Sequence, residues 1–168
     1  MRIYCDTSAL RHNINRHNDE KSQSELAALN QLTEKYPLFG SHLARYEAEK
    51  TKDDTRREHL IADVDELKNV PNDQKLLGFN VQISQYTCIN SPIISDVQDE
   101  GIRAELMERG FKQRDAEHIT QAVCNNCDVF LTRDESSIIT PYREWLEQRF
   151  PSLKIRLPSE LLAELSSE

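Results

Sequence analysis

The run DAEHITQAVCNNCDVFLTRD, Asp115 to Asp134, decides how this chain is read. From Asp115 onward, Ala116, Ile119, Ala122 and Val123 recur at the spacing of a helix packed against a core. Val129, Phe130 and Leu131 then form the short apolar run expected of a strand buried in a parallel sheet. Asp134 follows just where that strand ends. The start of the chain repeats the arrangement: in MRIYCDTSAL a strand from Arg2 to Cys5 runs into Asp6. Acids at the exits of two buried strands are either turn and capping residues or carboxylates converging on a cation.

The intervening sequence alternates in the same way. His12 to Lys21 is polar and reads as a loop or helix end. Ser22 and Glu25 then offer a capping box ahead of Leu26, Leu29 and Leu32. Pro37 stops that helix, and PLFGS reads as a second strand entering a helix near Ser41. One long charged helix carries Leu43, Tyr46 and Lys50 and resumes with Leu60, Val64 and Leu67 before Pro71. Asn72 to Pro92 fits helix and loop as well as strand. A helix from about Val97 to Arg109 has Gly110 as its left-handed stop. A helix around Tyr142 to Arg149, a final strand in LKIRL and a C-terminal helix in SELLAEL complete the chain. Strands alternating with helices imply crossover units and a mostly parallel sheet. In such sheets ligands sit beyond the carboxyl ends of the strands, which is where Asp6 and Asp134 fall.

A chain of 168 residues suits one domain with its own core. Lys and Arg number 21 against 29 Asp and Glu, a net charge of −8. That balance excludes a general nucleic-acid-coating protein, though not a nucleic-acid enzyme whose acids hold metal. Asp6 interrupts the opening apolar run too early for a signal peptide, and no stretch approaches the ~20 apolar residues of a membrane span. The expected setting is cytoplasmic, without membrane association, and the thiols of Cys5, Cys88, Cys124 and Cys127 are expected to be reduced. Cys124 and Cys127 form a lone C-N-N-C. Zinc would need two more ligands and a redox pair would sit at a helix start, so a structural role is expected.

Weighed singly, each acid has an ordinary explanation. Asp6, Asp115 and Asp134 could cap or turn the chain, and Glu47 could be one more solvated glutamate on a charged helix. Glu49 could serve as well as Glu47. Weighed together, like charges brought close require a cation or a shared proton. Hard carboxylate oxygens suit Mg2+ or Mn2+ rather than zinc, and Mg2+ leaves room for a phosphate and a water. The chemistry that follows is metal-assisted hydrolysis of a phosphodiester.

The ordered set DTS, then Ser41 six residues before Glu47, then DAEHITQAV, then FLTRD resembles the PIN-domain ribonucleases, including their toxin members. The resemblance runs from Met1 to about Arg156. It implies a three-layer α/β sandwich around a mostly parallel sheet of about five strands, a single domain over 1–168 with an insertion at about 70–95. It further implies a Mg2+- or Mn2+-dependent endoribonuclease that hydrolyses RNA through an activated water. Asp6, Glu47 and Asp115 would bind metal and the scissile phosphate, and Asp134 would complete the pocket. Ser8 and Thr132 would orient carboxylates or waters. RNA is the implied substrate, a small antitoxin protein the implied partner if the chain is a toxin, and a homodimer the implied assembly. The span of 68 residues from Glu47 to Asp115 is longer than in compact toxin members.

Other features weigh less. His118 falls on the face of Asp115 and reads as a core or capping residue, a supporting partner of the acids, or an RNA contact. His12, His17, His42 and His59 show no ligand spacing. Lys50, Lys52, Arg56, Arg57 and Arg133 could steer an RNA backbone, or simply face solvent. Tyr142 and Trp145 read as packing. The competing classes are a PIN-like RNA- or protein-binding module without turnover, and phosphoryl transfer through an aspartyl intermediate. The latter expects D-x-D, where this chain has DTS.

Overall fold

The computed structural model describes residues 1–15, 19–70, 74–84, 87–96 and 99–167, the segments 74–84 and 87–96 by their backbone alone. Five strands build one all-parallel sheet in the order β3-β2-β1-β6-β7: β1 (Ile3–Cys5), β2 (Leu38–Gly40), β3 (Lys68–Asn69), β6 (Val129–Leu131) and β7 (Lys154–Arg156). The register sets Ile3 beside Leu38 on one side and beside Val129 on the other. The helices are α1 (Arg11–Asn15), α2 (Glu20–Lys35), α3 (His42–Glu49), α4 (Asp54–Asp65), α5 (Glu100–Arg109), α6 (Gln113–Cys124), α7 (Thr140–Arg149) and α8 (Pro158–Ser166).

The period of two along each strand explains the layers. Ile3, Cys5, Val129 and Leu131 point into one core with Leu10, which precedes α1, and with Ile14, Leu29, Leu60 and Leu161, from α1, α2, α4 and α8. Tyr4, Phe130 and Ile155 point the other way, into a core with Leu106, Ile119, Ala122 and Leu146 from α5, α6 and α7. The central strands are buried on both faces, as continuous apolar runs require. The result is the expected three-layer α/β sandwich.

Strand order places a feature that sequence alone did not. From β1 the sheet grows one way through β2 and β3 and the other way through β6 and β7. The point of reversal lies between β1 and β6, and the crevice beyond their carboxyl ends is the natural ligand site of such a sheet. Asp6 leaves β1 and Asp134 follows β6.

Several local expectations need correction. The helix expected to start at Ser22 starts at Glu20, because Asp19 accepts a hydrogen bond from the Ser22 N–H and caps it. Glu25 makes no capping box. It is buried and accepts from the Ser159 N–H and hydroxyl, tying α2 to α8. The long charged helix is two helices, since Asp53 caps a new start at Asp54, and it ends at Asp65 ahead of the short strand β3. Of the two options for Asn72 to Pro92, the strand one holds: β4 (Gln74–Ser84) and β5 (Thr87–Asp96), which extends past Pro92, pair antiparallel in a sheet of their own. Asp99 caps α5, with Gly110 at φ 110° as its left-handed stop. Val97, His17 and the side chain of Cys88 lie outside the described residues. No helix among the described residues is long and apolar enough to cross a membrane.

Candidate functional site

Asp6 sits at the end of β1 with only 8 % of its surface exposed. Its Oδ2 accepts from the Ser8 hydroxyl at 2.6 Å and the Thr132 hydroxyl at 2.9 Å. The Ser8 N–H approaches the same oxygen, at 3.4 Å, so Asp6 also caps the short turn Thr7–Ala9. Capping and site readings therefore coexist. Thr132 is fully buried just past β6, and its hydroxyl oxygen accepts from the Asp134 N–H at 3.1 Å. The Arg133 N–H donates to the Ser8 hydroxyl at 2.9 Å. Ser8 and Thr132 thus stitch the exits of β1 and β6 across the crevice. Asp134 Oδ1 caps the turn Glu135–Ile139 through the Ser137 N–H at 2.8 Å.

Asp115 lies in the first turn of α6, not at its cap, which is Lys112. Its Oδ2 is buried without a hydrogen-bond partner. Burial and the neighbouring carboxylates of Asp6 and Asp134 push its carboxyl up from 3.8 to about 6, against the pull of Lys112 and His118. Burial is the larger cause of that displacement, and the two neighbouring carboxylates add to it.

Glu47 reaches the same place from α3. Its Oε2 accepts from the Thr7 hydroxyl at 2.5 Å and lies 3.5 Å from His118 Nε2. Burial alone would raise its carboxyl, but His118, Thr7 and Arg114 outweigh burial and hold it below the ordinary range. Glu49 turns away and pairs with Arg45 at the surface. His118 is buried, with Nδ1 2.8 Å from the Tyr4 hydroxyl and Nε2 3.3 Å from the Thr7 hydroxyl. The Tyr4 hydroxyl in turn lies 2.7 Å from that of Ser41. Burial opposes protonation of His118, yet Glu47, Asp6 and Asp115 together raise its basicity above the ordinary imidazole value.

Asp115 is coupled directly to Asp6 and Asp134, and Glu47 is linked to Asp6 and Asp115 only through their shared neighbour His118. Among the described residues, however, no three His, Cys, Asp or Glu side chains stand close enough to enclose a metal ion by themselves. The donor set suits an ion that accepts few protein ligands and keeps several waters, as Mg2+ does. Among the side-chain oxygens of these four acids, Asp115 Oδ2 is the one buried without a hydrogen-bond partner.

Tyr4 was not singled out from the sequence, and Thr7 and Ser41 entered only as parts of the DTS and Ser41–Glu47 patterns. The basic run divides: Arg56 donates to Asn13 and Arg57 to the Thr51 carbonyl and Asp54, so both serve the fold. Arg133 reaches Ser22 on α2. Cys5, Cys124 and Cys127 are free thiols, and burial pushes Cys127 up to about 12. A cleft of about 560 Å³ between α2, α4 and the start of β2 contains none of the four acids.

Comparison with known protein families, with curated proteins and with solved structures returns no match to this chain.

Proposed function

We propose that this chain is a Mg2+- or Mn2+-dependent endoribonuclease of the PIN-domain type. The observation that carries the reading is Asp115: a carboxylate with a buried, partnerless oxygen, pushed up to about 6 by burial and by Asp6 and Asp134. Capping does not account for it, since the cap position of its helix is Lys112 and the buried oxygen accepts no hydrogen bond.

A divalent ion bound here would supply charge to the phosphoryl oxygens and an acidified water. Asp6, Asp115 and Asp134 would hold it, with Glu47 at the edge of the group. Ser8 and Thr132 fix the Asp6 carboxylate in one orientation, so its free oxygen needs no reorganisation when ligand arrives. Thr7 and His118 do the same for Glu47, and the Tyr4 hydroxyl sets the orientation of the His118 ring. Low fractional exposure of Asp6 strengthens every charge interaction in the crevice.

The test is cleavage of single-stranded RNA by purified protein with Mg2+ or Mn2+, with EDTA, and with Asp6→Asn. Metal-dependent internal cleavage that Asp6→Asn abolishes supports the reading; cleavage undiminished in EDTA defeats it. A second reading, a PIN-like RNA- or protein-binding module, draws on the lack of a ready metal cage among the described residues. RNA binding without cleavage under any divalent ion would favour it. The toxin half of a toxin–antitoxin pair remains one setting for the nuclease, and a short neighbouring reading frame encoding a DNA-binding partner would support that.

A further inference from the structure

A cluster at the lip of the acidic site has no task in the reading above. Tyr46 immediately precedes Glu47 on α3 and keeps 41 % of its surface exposed. Lys50 Nζ stands 3.9 Å and Arg114 Cζ 4.7 Å from the centre of its ring. Lys50 also donates a hydrogen bond to the Tyr46 hydroxyl. Lys50 closes α3 one turn after Tyr46, and Arg114 comes from the first turn of α6, directly before Asp115. Two cations from separate elements thus meet on one exposed phenol, each close in sequence to an acid of the site.

A Tyr–Lys pair one turn apart is an ordinary helix-stabilising contact. That explains Lys50 but not the arrival of Arg114 from another helix. Arg114 shares its charge with Glu117 at 2.7 Å, whereas Lys50 makes no ion pair among the described residues. The chain carries a net charge of −8, and Arg114 acts directly on the Glu47 carboxylate.

We propose that Tyr46, Lys50 and Arg114 form a docking subsite for a backbone phosphate of single-stranded RNA, adjacent to the scissile phosphate. The proposal rests on the ribonuclease reading and deepens it. The guanidinium offers paired N–H donors that match phosphate oxygens, and the ammonium adds a compact charge. Together they would anchor the strand beside a crevice whose own charge pushes it away.

The test is fluorescence anisotropy with a short labelled single-stranded RNA, on protein carrying Asp115→Asn so that the strand is not cut, over a series of salt concentrations. Lys50→Gln should weaken binding about threefold or more. Lys50→Gln with Arg114→Gln should weaken it about tenfold or more, and lower the slope of log affinity against log salt by about 0.7 per lost contact. Lys35→Gln with Lys154→Gln, an equal charge change at exposed residues of α2 and β7, should have little effect. Loss equal to that control, with an unchanged slope, overturns the subsite while leaving the nuclease reading intact. If the parent protein binds no RNA at all, both fall. Lys50 is exposed, so its single substitution reports on binding even if replacing Arg114 disturbs Glu117.

Discussion

Asp115→Asn should make the metal-free protein more stable while removing its response to metal. The carboxyl rises from 3.8 to about 6 on folding, because of burial first and the charges of Asp6 and Asp134 next. At about 1.4 kcal/mol per tenfold change in the proton equilibrium, the full displacement corresponds to about 3 kcal/mol. Asp115 is only partly buried, so solvent screening reduces this to about 1–2 kcal/mol. The sign follows from linkage. A carboxyl whose folded value is raised favours the fold while protonated. Its contribution is full below about pH 4 and is lost as pH rises through about 6. Urea unfolding in EDTA should therefore show the wild type losing about 1–2 kcal/mol from this group between pH 4 and pH 7. Asp115→Asn should lack that loss and exceed wild type at pH 7.5 by a similar amount. Adding Mg2+ at 100 times its dissociation constant should restore about 2.7 kcal/mol to wild type and almost nothing to the variant. An Asp115→Asn protein no more stable than wild type at pH 7.5, with the same pH profile, would refute the claim of uncompensated charge.

Thr132→Val removes the hydroxyl that bonds Asp6 and accepts from the Asp134 N–H, and should cost about 1–3 kcal/mol in urea unfolding as well as weakening metal binding. His118, followed by NMR of its ring protons in EDTA, should titrate above 6.5. Glu47→Gln should move that midpoint down, since the burial that opposes protonation then meets less compensation. The stability His118 contributes is full below its unfolded value and fades as pH rises through the folded one, so it belongs to the acid side of neutrality. Gly110→Ala should lower stability by about 1–2 kcal/mol in thermal unfolding, because φ 110° strains a side chain and a Cβ would stand 2.7 Å from the Tyr142 hydroxyl.

The legible parts of this fold were those where local pattern and burial agree. Val129–Leu131 and Ile3–Cys5 are three-residue strands buried on both faces, and their uniform apolarity announces that. Gly110 was legible because a helix end in the left-handed conformation favours glycine. The split between α3 and α4 was hidden, since Lys50 to Asp53 is as polar as the helices it joins. Strand β3 is two exposed polar residues, held by pairing with β2 rather than by its own character. The hairpin Gln74–Asp96 mixes apolar and polar residues without a firm period, which left it ambiguous.

At the site, Asp6, Glu47, Asp115 and Asp134 were singled out through the family resemblance; in the structure Asp115 feels Asp6 and Asp134, while Glu47 meets Asp6 and Asp115 only through His118. What holds them was not legible. Tyr4 looks like one more core residue of β1, and only the fold brings its hydroxyl against His118 and Ser41. His118 looked like packing because a buried imidazole and a supporting one share the same helical spacing.

The central claim is that these carboxylates gather to take a divalent ion. Anomalous diffraction from a crystal soaked in Mn2+ measures it directly. The account predicts a peak within coordination distance of Asp115 and at least one of Asp6 and Asp134, about 2.1–2.6 Å from their oxygens, completed by water. Manganese bound only elsewhere, with the Asp115 carboxylate unligated at pH 7.5, would contradict it.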